Sequence, residues 1–174
     1  HLKVLKDVVE PPTDAIMYGK EFHSAAEHYV RDDVPLPPQF KFVKGALDSL
    51  KNLNGDKYCE YEFGLTANLD PCGFKDADVW WRGIADLLVI NGDEARVVDY
   101  KTGKSAKYAD TDQLELMALA VFKHFPQVKK VKAGLLKPEK LAVNVGFLLF
   151  LSINEIKRLA LLRKFILISK VLTL

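Results

Sequence analysis

The sequence predicts an α/β domain built around a mixed β-sheet, on three observations. The chain has 174 residues, 49% of them hydrophobic, which suits one domain of ordinary size with its own core. Apolar residues recur at helical spacing to about Leu53 and alternate from Lys57 onward, the change of period that separates helices from strands. The resulting order is helix, helix, three strands, helix, strand, then a final strand and helix, which argues an α/β sandwich around a mixed sheet.

Residues 1–12 form a lead-in ending at Pro11-Pro12. Thr13 and Asp14 are helix-capping residues, and the helix they open is expected to run to about Val30 with Ile16, Phe22, Ala26 and Tyr29 as its buried side. His23 and Glu27 lie four apart and share a face. The proline-rich loop Val34 to Pro38 ends this element. A second helix from about Phe40 to Leu53 places Val43, Leu47 and Leu50 at helical spacing, and Asn54-Gly55 terminates it.

Tyr58 to Ala67 is expected as a strand with Glu60 and Glu62 facing one way and Tyr61, Phe63 and Leu65 the other. Asp70-Pro71-Cys72-Gly73 has the composition of a turn. Val79 to Ile90 and Ala95 to Lys101 form a hairpin across Asn91-Gly92-Asp93-Glu94, since Asn-Gly is a strong hairpin signal. Their near-continuous apolar content implies cover on both faces. After the small basic loop Thr102 to Asp110, a cap at Asp110, Thr111 or Asp112 opens a helix to about Phe125, with Leu114, Met117 and Val121 buried. Val128 to Leu136 and Leu141 to Phe150 complete the strands. Ser152-x-x-Glu155 is a capping box opening a helix toward Lys170 that is apolar nearly all round.

Charge divides the chain unevenly. His1 to Phe122 carries 14 Lys+Arg against 21 Asp+Glu, and Lys123 onward carries 11 against 2. The acidic part meets a polyanion only through metal ions, whereas the basic part can meet one directly or serve as a solvated helix face. Cys59 and Cys72 are too few for a disulfide scaffold or a four-cysteine metal site. They suit free thiols in a cytoplasmic protein, with a single disulfide left open. The chain opens at His1 rather than a methionine, so a natural N-terminus upstream is expected. No signal peptide is visible, and the apolar run Leu141 to Ile153 is short for a membrane span.

The chemistry concentrates in the hairpin. Alternation puts Asp99 and Lys101 on one face and Tyr100 on the other, with Asp86 on the neighbouring arm. Two carboxylates on apolar strands are costly to bury together, and a divalent cation removes both the desolvation and the repulsion. On spacing alone, an Asp99–Lys101 ion pair with Asp86 at a sheet edge serves equally well. Thr102-Gly103-Lys104-Ser105 is not a phosphate-binding loop, because Val98 stands where its first glycine belongs. His23-Ser-Ala-Ala-Glu27-His28 has one residue too many for an inverted zinc-protease motif.

Val97-Val98-Asp99-Tyr100-Lys101-Thr102-Gly103 resembles the core motif of the PD-(D/E)xK nuclease superfamily, in the branch of RecB-type and Cas4-like exonucleases. Three further motifs stand in the family order: Gly83-Ile84-Ala85-Asp86, His23 and Glu27 in a Gly19-x-x-x-His-x-x-x-Glu pattern, and Gln113 opening the next helix. The resemblance spans Gly19 to about Leu119. It departs at Met117, where the family often has a tyrosine, and in lacking the four iron–sulfur cysteines of Cas4 proteins.

The resemblance implies a restriction-endonuclease-like core over residues 1–136, with 137–174 as a C-terminal strand and helix extension. It implies Mg²⁺ or Mn²⁺ held by His23, Asp86, Asp99 and the Tyr100 carbonyl. Lys101 would act on the attacking water and Gln113 on water or the DNA backbone. Glu60 fits a further acidic position of the family in a Glu-x-x-Phe pattern, against the plain reading of a solvent-facing strand side. Glu27 is expected as a supporting or surface residue. The implied activity is metal-dependent DNA cleavage, exonucleolytic or end-processing, in recombination, repair or phage DNA metabolism. Implied partners are DNA, a second copy of the chain, or a helicase or recombination protein, and no membrane. The alternative is a nuclease fold that binds DNA or a partner without cutting.

Overall fold

The computed structural model describes residues 13–102, 111–139, 142–152 and 154–155, and over these it has the expected α/β architecture. Helix α1, Asp14–Asp32, is opened by Thr13, whose Oγ1 accepts the Ile16 N–H at 3.4 Å, and is closed by Asp33 in the left-handed region at φ 62°. The second helix begins as a 3-10 turn, Pro38–Val43, before becoming α2, Lys44–Lys51, rather than running unbroken from Phe40. Pro38 starts that turn, and its tighter period buries Phe40 and Val43 three residues apart. The two helices are joined by the Tyr29 hydroxyl donating to Asp48, which also takes Lys44 Nζ at 2.7 Å.

Six strands form one sheet among the described residues: β1 Asp56–Thr66, β2 Pro71–Cys72, β3 Val79–Asn91, β4 Glu94–Tyr100, β5 Lys130–Glu139 and β6 Ala142–Ser152. Their order is β2-β1-β3-β4-β5-β6, and every neighbouring pair is antiparallel except β4 and β5. The parallel pair requires a crossover, supplied by helix α3, Thr111–His124. Asn91 pairs with Glu94, so Gly92 and Asp93 make a two-residue turn, and Gly92 adopts φ 59°.

Alternation along the strands feeds two cores. On the α1 side Phe22, Phe40 and Leu47 meet Leu87, Val98 and Tyr100. On the α3 side Met117, Val121 and Phe63 meet Leu88, Val97 and Val131.

Several expectations are corrected. Ile16 is 51% exposed, because it lies on the first turn of α1, ahead of the stretch from Phe22 that reaches the sheet. The turn at Asp70 to Gly73 contains the short strand β2, which pairs Cys72 with Gly64. Strand β3 is covered on both faces only from Ala85 to Ile90; earlier, Trp80, Arg82 and Ile84 are exposed on one face. Ser152 and Glu155 form the predicted capping box, with Glu155 Oε2 accepting both the Ser152 N–H and Oγ–H at 2.7 Å. The helix toward Lys170, the lead-in 1–12, most of the loop 102–110 and the cap side chains at Asp110, Thr111 and Asp112 lie outside the described residues. No helix among the described residues is long and apolar enough to cross a membrane.

Candidate active site

The β3–β4 ladder runs from Asn91 opposite Glu94 to Leu87 opposite Val98 and stops one step before Asp86 would face Asp99. Strand β4 continues instead with β5, pairing Asp99 with Leu135 and Tyr100 with Leu136, and Lys101 N–H donates to the Leu136 carbonyl at 3.0 Å. The sheet therefore forks where the two aspartates stand.

Asp86 closes the fork. Its Oδ2 accepts the main-chain N–H of Tyr100, and its Oδ1 lies 3.0 Å from His23 Nδ1. His23 Nε2 lies 2.9 Å from the Tyr100 carbonyl oxygen. Both neighbours of the ring are acceptors, so both contacts are hydrogen bonds only when both nitrogens carry protons. Burial pulls the His23 pKa down most strongly, but the Asp86 hydrogen bond and charge and the Tyr100 carbonyl prevail and raise it.

Helix α1 aims His23 through its neighbour Phe22, which packs edge-on against Phe40 and Tyr100 at 5.4 and 5.8 Å between ring centroids. One turn earlier, a Cβ on Gly19 would stand 3.0 Å from Thr102 Oγ1, so the chain leaving Lys101 passes tightly against the helix.

Across the fork Lys101 Nζ lies 2.9 Å from Asp99 Oδ2, a charge pair without hydrogen-bond alignment at that buried oxygen. Asp86 and Asp99 are only 6% and 8% exposed. Burial raises the Asp99 pKa, the Asp86 charge adds to the rise, and Lys101 opposes it. Burial, followed by the Asp86 charge, likewise raises the pKa of half-buried Glu60. Donor atoms of His23, Glu60 and Asp86 all lie within 4.8 Å of one another. An imidazole nitrogen, carboxylate oxygens, the Tyr100 carbonyl and the unaligned buried oxygen of Asp99 suit a hard divalent cation with mixed N/O ligation.

The structure thus gathers His23, Asp86, Glu60 and the Tyr100 carbonyl, and joins Asp99 to Lys101 at the same fork. Gln113 is exposed on the first turn of α3, outside these contacts. Glu27 pairs with Arg31 on the helix surface. Met117, at the position where a tyrosine is frequent in the resembling family, is buried, and its Cε lies 3.1 Å from where a Cβ on Gly83 would be. The Trp81 ring lies closer still, 2.3 Å from that Cβ, so only glycine fits beneath it. Sequence reasoning missed the Tyr100 N–H, the Gly19–Thr102 approach and the Trp81–Gly83 contact, although the two motif glycines were the available signal. A second group, Cys72, Asp76 and Asp78, closes a loop: Asp76 Oδ2 accepts the Gly73 N–H at 2.7 Å.

An α/β fold whose forked central strands carry two buried aspartates and a following lysine is the arrangement of a metal-dependent nuclease. A family model described as the PD-(D/E)XK nuclease superfamily matches residues 41–160, and the chain belongs to that superfamily. His23 precedes the matched segment, so its place at the site rests on the contacts above. No curated protein compared with the chain matches it. A solved structure described as "Crystal structure of SSO0001" is similar at 15% identity over 87% of this chain and 72% of that chain, with a TM-score of 0.34.

Proposed function

We propose that the chain is a Mg²⁺- or Mn²⁺-dependent deoxyribonuclease of the RecB-type branch, acting as an exonuclease or end-processing enzyme in recombination, repair or phage DNA metabolism. The observation that supports it best is the fork itself. It turns His23, Asp86 and the Tyr100 carbonyl toward one another while Lys101 is paired to Asp99 next to them.

His23, Asp86, Asp99 and the Tyr100 carbonyl would hold the cation, which when bound supplies Lewis-acid activation of water and phosphate. Lys101, steered by Asp99, orients the attacking water, assists its deprotonation and offsets charge on the pentavalent phosphate. Gln113, on the open first turn of α3, contacts water or the DNA backbone.

The test is cleavage of linear and circular, single- and double-stranded DNA by the purified chain in Mg²⁺ or Mn²⁺. Loss of cleavage in Asp99→Ala and Lys101→Ala is expected. Full activity in both variants, or tight DNA binding in Mg²⁺ without product, refutes the reading.

A further inference from the structure

On the α1 side of strand β3, Leu87 and Val89 are packed under the helices, and the His23–Asp86 contact marks where that cover ends. Beyond it Ile84, Arg82 and Trp80 stand at alternate positions and all three are exposed, Trp80 by 46% and Ile84 by 39%. The residues between them fix which way they face. Trp81 and Ala85 belong to the α3-side core, and Met117 Cε comes within 3.1 Å of where a Cβ on Gly83 would be. The uncovered strip therefore lies on the α1 side and runs into Asp86, with Trp80 six residues away, about 20 Å along the strand.

The opposing strand leaves the strip open. Gly64 pairs with Arg82 and carries no side chain; a Cβ there would meet the carbonyl oxygens of Cys72 and Gly73 at 2.7 Å, so the chain leaving β2 crosses this face of β1. That path brings Phe74 beside Arg82. Arg82 Nε donates to the Phe74 carbonyl oxygen, and the guanidinium lies 5.9 Å from the Phe74 ring centroid. The same loop carries Asp76 and Asp78, yet among the described residues no carboxylate pairs with Arg82, and Asp76 turns back to accept the Gly73 N–H.

The nearby acids decide the ligand. Glu62 stands opposite Ile84, so the strip holds one cation among several carboxylates, poor ground for a duplex gripped mainly through its phosphates. Its exposed surface is aromatic and aliphatic, which suits unpaired bases, since any base can stack on an aromatic side chain. We propose that Trp80, Arg82 and Ile84 form a single-stranded DNA subsite continuous with the metal centre. Trp80 stacks on a base, Arg82, held by Phe74, takes a phosphate, and Ile84 borders the nucleotide nearer Asp86. The proposal rests on the metal-dependent nuclease reading above and gives that site a substrate unpaired on one side of the scissile bond.

Fluorescence anisotropy of labelled oligothymidylate in EDTA, beside cleavage of the same strand in Mg²⁺, tests it, with an abasic strand of equal length as the comparison. Trp80→Ala should weaken oligothymidylate binding at least about fivefold, the lower end of what one stacked base contributes, and should raise the KM for cleavage with kcat little changed. Trp80→Phe should keep most of the affinity. The abasic strand has the phosphates without the bases, and should bind the native chain and Trp80→Ala alike. Val34→Ser, which replaces an exposed apolar residue in the loop after α1, should bind as the native chain does. Oligothymidylate binding by Trp80→Ala within twofold of the native chain, or an equal loss for the abasic strand, overturns the proposal; if the native chain still cleaves DNA and Asp99→Ala does not, the nuclease reading survives it. A native chain that neither binds nor cleaves DNA, single- or double-stranded, overturns both.

Discussion

His23 donates through Nε2 to the carbonyl oxygen of Tyr100 at 2.9 Å, tying the middle of the first helix to the last residue of β4. With Asp86 accepting at Nδ1, the protonated ring fills the space between a carboxylate and a carbonyl as a cation would. Metal binding must then displace a proton. The His23 pKa is raised in the fold. Its contribution to stability is therefore fully present below the unfolded histidine pKa and lost as pH rises through the folded one. Metal-free protein should lose stability as pH rises above about 6.5, the ordinary histidine value, and through the raised folded one, while Mn²⁺ affinity climbs over the same rise. Thermal melts in EDTA and in Mn²⁺ across that range check this, with His23→Gln as the reference; an identical pH profile in the variant counts against it.

Asp86 has a structural task separable from its proposed metal-binding one. Its Oδ2 is the partner of the Tyr100 N–H, at a residue only 2% exposed. Asp86→Ala leaves that donor unpaired and should cost about 1–3 kcal/mol of stability. Asp86→Asn retains an oxygen for the Tyr100 N–H and should cost less. Both should lose cleavage. Urea denaturation beside activity assays separates the two roles, and equal destabilisation by the two variants would refute the division.

Lys101 should affect rate more than metal affinity. Its Nζ contacts Asp99 at 2.9 Å and carries no lone pair for a cation when protonated. Lys101→Met should lower turnover by about 10²–10⁴-fold, the usual scale for a lost proton-transfer group, with Mn²⁺ affinity changed only a few-fold. Single-turnover cleavage at saturating metal measures the first and calorimetry the second. A collapse of Mn²⁺ binding in this variant would show that the Asp99–Lys101 pair organises the ligands.

Legibility in the sequence followed how local each feature is. Asp86, Asp99 and Lys101 could be placed because alternation and an Asn-Gly turn fix a hairpin over a few residues, and the observed register agrees. His23 lies 63 residues from Asp86, and only the motif pattern brought it into the reading. The fork was not legible: it arises because β4 leaves β3 to pair in parallel with β5, a long-range choice. Nor was the backbone at Glu60, since a glutamate gives no compositional sign of a positive φ. The exposed half of β3 escaped for the opposite reason. Trp80 and Ile84 look like core residues, and helix α1 is needed to show where cover ends.

Gly83 should prove intolerant of any side chain for a reason three residues removed from the chemistry. A Cβ there would meet Trp81 Cη2 at 2.3 Å and Cζ2 at 2.7 Å, with Met117 Cε behind at 3.1 Å. The indole is half-buried against the α3-side core and cannot swing aside without opening that core. Gly83→Ala should therefore cost about 1–3 kcal/mol through overpacking, and by displacing β3 should also slow cleavage through Asp86. Trp81→Leu removes the obstructing ring. The double variant Gly83→Ala/Trp81→Leu should then be more stable than the sum of the two single losses, a coupling that urea midpoints of all four proteins would reveal. Strict additivity would mean that the glycine answers to backbone conformation alone, but its φ is not among the positive ones, so coupling through the ring is the expected result.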